Sequence, residues 1–172
     1  MSEQSVFHVH TFTAHPDFVE DRIRLDVSDV DGMTQSIFLT RRLADRFIPM
    51  MVDQVESSGR QGAARQIDLA MRQQHLRIER DQIRVPDVQL GTDAERWLCL
   101  TVHLANGPDG PVWTLTDDAA HTASIPIGGD GLRAVVDILL LMYRNLEWPM
   151  ELFPEWLREI GEEAAPAPRT LN

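Results

Sequence analysis

Two histidines, His8 and His10, flank a single valine in the segment Val6 to Thr13. If that segment is extended, their imidazoles share one strand face about 7 Å apart, within reach of one cation. His15, Asp17, Glu20 and Asp21 follow closely, and His103 could be brought in by a sheet. The chemistry on offer is that of a small metal-binding protein or metal-dependent hydrolase. A structural or catalytic site needs a third and fourth ligand, however, and no second ligand pair stands at diagnostic spacing. The polar face of an ordinary strand is the favoured account of both imidazoles.

Other chemical patterns fail on context. Gly129-Asp130-Gly131-Leu132-Arg133-Ala134 has the spacing of a dinucleotide fingerprint and precedes a helix. Yet Asp130 would put negative charge where a pyrophosphate belongs, Pro126 interrupts the strand before it, and no parallel strand follows. Helix capping and a flexible turn explain these residues better. Asp29-Val30-Asp31-Gly32 suggests a calcium loop, but registering Gly32 on the loop glycine leaves Val27 and Phe38 at two obligatory ligand positions. Cys99 and His103 stand about 13 Å apart along an extended chain, too far for a thiolate pair. No nucleophile elbow, phosphate loop or H-E-x-x-H helix is encoded. The sequence therefore assigns no catalytic residue and no cofactor, and an enzyme is the less favoured reading.

The totals bound the alternatives. With 172 residues, 43% hydrophobic and 25% charged, the composition is that of one globular domain with a core of its own. One cysteine excludes an internal disulfide and points to a reducing, cytoplasmic setting; neither a secretory leader nor a membrane-length apolar run is visible. Every basic residue is arginine, which suggests a GC-rich bacterial genome. A net charge of −11 repels nucleic-acid phosphates and anionic membranes, so charged partners should be basic. Residues 60–84 run against this trend, with six arginines and three acids. Arg65, Arg72, Arg77 and Arg80 could pair with the protein's own carboxylates or form a basic docking face.

The elements that must position these groups follow from periodicity. Alternation predicts strands over Val6–Thr13, Arg22–Ser28 and Ser36–Thr40, with Asp31-Gly32 as a positive-φ hairpin turn. Thr40 should cap a helix that carries Leu43, Phe47, Met51 and Val55 on one face, with a kink at Pro49 and an end at Ser57-Ser58-Gly59. A second helix from about Gln61, with Ile67, Ala70, Met71 and Gln74 as its core face, would complete an inserted helical hairpin over 41–84. Residues 76–85 suit a continued helix or a short hairpin. A connector over Pro86–Glu95 leads to a central strand with Leu98, Leu100, Val102 and Leu104 on one side. Val112–Thr116 and His121–Ile127 extend the meander, and Pro126 suggests an edge position for the last strand.

The final helix, Leu132–Trp148, is the strongest functional hint. Residues 134–143 read AVVDILLLMY, apolar at nine of ten positions, and Trp148, Leu152, Phe153 and Trp156 follow within a short span. The four tryptophans, Trp97 and Trp113 included, are of a type used in cores and interfaces. So much apolar surface suggests that Leu139, Met142, Tyr143, Leu146, Trp148, Leu152, Phe153 and Trp156 meet a partner or a second copy, a dimer above all. The expectation is an α+β domain over 1–160, with a five- to six-stranded antiparallel sheet, an αα-hairpin and a long C-terminal helix packed on it. A disordered acidic and Pro/Ala-rich tail would occupy 161–172. The function implied is a non-catalytic interaction or scaffold module, self-associating or part of a larger assembly.

Overall fold

The computed structural model describes residues 5–58, 62, 64–83, 85–118, 121–128 and 130–159. It is an α+β fold of eight strands and four helices among those residues. The proposed tail, 161–172, lies outside them.

The single antiparallel sheet expected from hairpin spacing is in fact two four-stranded mixed sheets. One has the order β1 (Val6–His8), β8 (Thr122–Pro126), β7 (Gly110–Thr116), β6 (Thr101–Gly107); the other has β2 (Thr11–Asp17), β3 (Arg22–Ser28), β4 (Thr34–Thr40), β5 (Glu95–Leu98). The pairs β1–β8 and β4–β5 are parallel and the rest antiparallel. The helical segment between β4 and β5 supplies the long crossover that a parallel pair requires.

Two strands read as continuous change sheets midway. The predicted strand Val6–Thr13 breaks between Val9, whose N–H donates to Ser124 O at 2.9 Å, and His10, whose N–H donates to Ser28 O at 2.8 Å. The predicted central strand through Leu104 breaks likewise: Cys99 N–H donates to Phe38 O in one sheet and Leu100 N–H to Thr116 O in the other, both at 2.9 Å. The side-chain parity changes at the second break, because Trp97 and Cys99 are buried while Leu100 is exposed and Val102 and Leu104 are half-buried. The two crossings join the sheets into a closed ring. β8 is consequently interior, between β1 and β7, and not an edge strand. Pro126 is tolerated because it is the last residue of β8, beyond the Val6–His8 stretch that pairs with Thr122–Ser124.

The β3–β4 turn departs from the predicted pair of positive-φ residues: Gly32 alone has positive φ, +82°. Asp29 closes the loop instead, its Oδ1 accepting from Asp31 N–H at 3.0 Å and Met33 N–H at 2.8 Å.

Helix α1 (Arg41–Ser57) starts at Thr40, whose hydroxyl accepts from Leu43 N–H at 3.2 Å, and retains Pro49 inside its span. Its buried residues Ala44, Phe47, Ile48, Met51, Val52 and Val55 follow the 3.6-residue period. Phe47 meets Trp113 of β7 with ring centroids 5.5 Å apart. Helix α2 (Arg65–Gln82) continues through the ambiguous stretch to Gln82. The connector after it straps across the outside of the second sheet, where Val88 N–H donates to Thr13 Oγ1 and Gly91 N–H to Thr34 Oγ1, each at 2.9 Å.

Helix α3 (Gly131–Asn145) ends three residues before Trp148. Glu147 adopts φ +56°, Trp148 N–H turns back to Tyr143 O at 2.9 Å, and Glu147 N–H reaches Arg144 O at 3.1 Å. These are the two bonds of a Schellman motif, and the Tyr143 and Trp148 rings, 4.9 Å apart and edge-on, supply its apolar contact. Pro149 follows this stop and does not cause it. The short α4 (Glu155–Glu159) then places Trp156 and Leu157 in the core. Inner faces of both sheets, α1, α3 and α4 share one buried cluster.

Candidate interaction surface

The segment expected to face a partner is instead core of its own chain. Leu139, Met142, Tyr143, Trp148, Phe153 and Trp156 are buried, and Leu146 and Leu152 are partly buried against the same cluster. The reason is the Schellman turn, which folds residues 148–157 back under α3 so that both faces of the helix are covered. Tyr143 and Phe153 stack edge-on at 5.1 Å. The indole N–H groups of Trp148 and Trp156 donate to Asp21 at 2.6 Å and Glu56 at 3.0 Å, which anchors the segment to the β2–β3 turn and to α1. The apolar surplus read in the sequence is absorbed within one molecule.

The expected basic docking face is also occupied. Arg72 Nη2 lies 2.7 Å from Asp130 Oδ1, Arg77 Nε donates to Asp137 Oδ1 at 2.6 Å, and Arg80 Nη1 lies 2.8 Å from Asp137 Oδ2. Arg65 donates to the carbonyl of Glu56, and Arg77 also reaches Leu157 O at 3.4 Å. Gln73, fully buried, donates to Arg133 O at 3.2 Å. The α3 residues that receive α2, Asp130, Arg133 and Asp137, stand one and two turns apart and form the one polar stripe of that apolar helix.

Of the face assigned to the core, Ala70 does pack against it, but because α2 docks through arginines the larger apolar residues of that face point outward, opposite to expectation. Ile67 and Met71, assigned to a core face, are 65% and 67% exposed, and Ile78 is 51% exposed; Leu69 is the buried apolar residue. At about 100° per residue, Ile67, Met71, Gln74 and Ile78 fall within roughly a 60° sector, nearly opposite Leu69, Gln73 and Arg80. Asp68, Glu79 and Asp81, all exposed, border this stripe, with His75 held 3.2 Å from Glu79. Arg72 and Arg80, though exposed, are paired with Asp130 and Asp137, whereas Asp68 and Asp81 offer their charge to solvent. Ile83 and Val85 prolong the exposed apolar surface past the helix end.

The histidines lie elsewhere. His8 and His10 line a cleft of about 750 Å³ together with Asp29, Asp31, Glu95 and His121. His121 was not singled out by sequence: its Nδ1 lies 2.6 Å from Asp117 Oδ2, its ring stacks on Trp97 with centroids 5.5 Å apart, and its Nε2 stands 3.8 Å from Glu95. Glu95 in turn accepts from Gln35 at 3.1 Å, and Gln35 accepts from the Trp97 indole at 3.1 Å. This network orients an imidazole at the cleft wall. Even so, among the described residues no group of three or more His, Cys, Asp or Glu side chains is arranged to hold a metal ion. The sheet crossing explains why the H-x-H pattern misleads: His8 ends β1, whereas His10 belongs to the link between the sheets.

Cys99 lies at the other crossing, its thiol donating to Thr101 O at 3.2 Å and pushed up to about 11 by burial. It makes no bond to the exposed His103. No helix among the described residues is long and apolar enough to cross a membrane. No family model matches the chain, and neither does any curated protein or any solved structure.

Proposed function

We propose that this protein is a non-catalytic interaction module, a subunit of a larger assembly, whose contact surface is the outward face of α2. The single observation behind this reading is the reversed helix: Ile67, Met71 and Ile78 are more than half exposed, while Arg72, Arg77 and Arg80 of the same helix are paired with Asp130 and Asp137. Leaving a contiguous apolar row in water costs about 25 cal/mol per Å², a cost that a partner recovers on docking.

The occupant that fits is an amphipathic helical segment of another protein, apolar along one side and basic at its margins. Its side chains at i, i+4 and i+7 would lie along the stripe, and its cations would meet Asp68, Glu79 and Asp81. A second copy fits less well. Pairing two such stripes brings the same carboxylates together, on chains that each carry −11 overall.

The test uses the full chain and two synthetic helical peptides, one with a leucine stripe bordered by arginines and one of the same composition scrambled. Fluorescence anisotropy should show saturable binding of the patterned peptide, weaker with salt and abolished by the triple substitution Ile67→Ser, Met71→Ser, Ile78→Ser. Equal binding of the scrambled peptide, or binding unchanged in the triple variant, refutes the proposal. A stable dimer in light scattering that the triple variant converts to monomer also overturns it, in favour of self-association.

A further inference from the structure

Arg133 occupies a position that ordinary folding energetics does not explain. The residue is 5% exposed, and its Nη1 is buried with no hydrogen-bond partner. The ion pair of its guanidinium is long, Nε to Asp130 Oδ1 at 3.9 Å. That same oxygen is already held by Arg72 at 2.7 Å. One carboxylate oxygen thus serves two guanidinium groups, and the buried one receives the poorer share. Burial lowers the Arg133 pKa from its ordinary value and repulsion from Arg72 lowers it further, while attraction from Asp130 and then Asp68 opposes the shift without cancelling it. A buried cation without its hydrogen bonds is costly, and such a group in a folded protein calls for a partner.

The place for that partner is beside it. Arg133, Arg72, Asp130, Gln54, Ser58 and Leu132 line a cleft of about 310 Å³ between the end of α1 and the start of α3, and the charge of Asp130 there is taken up by its contacts with the two guanidinium groups. α3 is fifteen residues long, and no side chain caps its N-terminus: Asp130, at the N-cap position, turns to Arg72 instead. Gly131 N–H donates to Gly128 O at 2.9 Å, and the positive end of the helix dipole lies beside the cleft that Leu132 and Arg133 line. Two guanidinium groups and an uncapped helix start converge on one cavity, a combination that suits a small dianion with several acceptor oxygens.

We infer that this cleft binds a soluble phosphate-type oxyanion, inorganic phosphate or a phosphate monoester, between Arg133, Arg72 and the N-terminus of α3. Bound there, the anion supplies acceptors for the buried guanidinium and links α1, α2 and α3. The site is separate from the outward stripe of α2, so its failure leaves the interaction proposal untouched.

The experiment compares inorganic phosphate with chloride at equal ionic strength, following the thermal midpoint and amide shifts in two-dimensional NMR. Phosphate should raise the midpoint saturably and move the Leu132 and Arg133 resonances. Arg72→Gln, at an exposed position, should fold normally and weaken binding about tenfold, and Arg133→Met should abolish it. The inference fails if wild-type protein shows no saturable response, or if the shifts map elsewhere. It fails equally if Arg72→Gln binds as wild type, since that variant does not depend on the folding of a buried substitution. Flotation with vesicles containing phosphatidic acid separates the sources: binding to vesicles without binding to free phosphate would also overturn it.

Discussion

Nη1 of Arg80 lies 2.8 Å from Oδ2 of Asp137, a carboxylate only 5% exposed on an otherwise apolar helix. The same group receives Arg77 through its other oxygen, so one acid holds two turns of α2. Replacing Asp137 by alanine strands Arg77, which is largely buried, and should destabilise the protein by about 3–5 kcal/mol. Urea denaturation measures this. The double variant Arg77→Met, Asp137→Leu should recover most of the loss, because it removes both buried charges together.

Glu147 sits at the left-handed position of the Schellman turn with φ +56°. A side chain is disfavoured there and glycine is not, so Glu147→Gly should raise stability by about 1 kcal/mol. A lowered thermal midpoint would contradict the assignment of that turn.

Cys99 gives a pH signature. Its folded pKa, about 11, stands above the ordinary 9.0, so the native state keeps a proton that the unfolded chain releases. Its contribution is complete below pH 9 and is lost as pH rises toward 11. Tyr143 shifts in the same direction, first by burial and then through its hydrogen bond to Asp45 at 2.7 Å, and extends the loss to higher pH. Denaturation midpoints should fall across this window, and Cys99→Ala should flatten its lower part. Iodoacetamide at pH 8 should label native Cys99 at least about a hundredfold more slowly than the unfolded chain, as two units of pKa require.

Thr40 closes the first turn of α1 through its hydroxyl. Thr40→Ala should cost about 1 kcal/mol, and Thr40→Asp should retain most of the stability. Chemical denaturation of the two variants side by side tests the cap.

Local chemistry was legible: the Thr40 cap, the end of α1 at Ser57 and the hairpin at Gly32 all follow from residue type and spacing. Long-range pairing was not. Alternation in Val6–Thr13 and Leu98–Leu104 describes an extended chain, but it does not register that the chain leaves one sheet for another at Val9 and at Cys99. The reversal of α2 was hidden because an apolar stripe at helical spacing ordinarily marks the core side. The counter-signal was a lone acid, Asp137, within AVVDILLLMY, matched by Arg77 and Arg80 one turn apart. Such a charge in so apolar a helix needs a cation, and the helix that brings it must come arginine side first. His121 escaped notice because two of its partners, Glu95 and Trp97, stand on β5 in the other sheet and reach it only through the fold, while Asp117 lies in the turn after β7.

The circle made by the two sheets also limits how anything can attach to this molecule. At each crossing the bent strand has a neighbour on either side, whereas the seven-residue strands β2 and β6, at the outer ends of their sheets, pair among the described residues on one side only, with β3 and β7. A foreign strand of any length could therefore be added only along those two borders, since β1 and β5 are no more than three and four residues long.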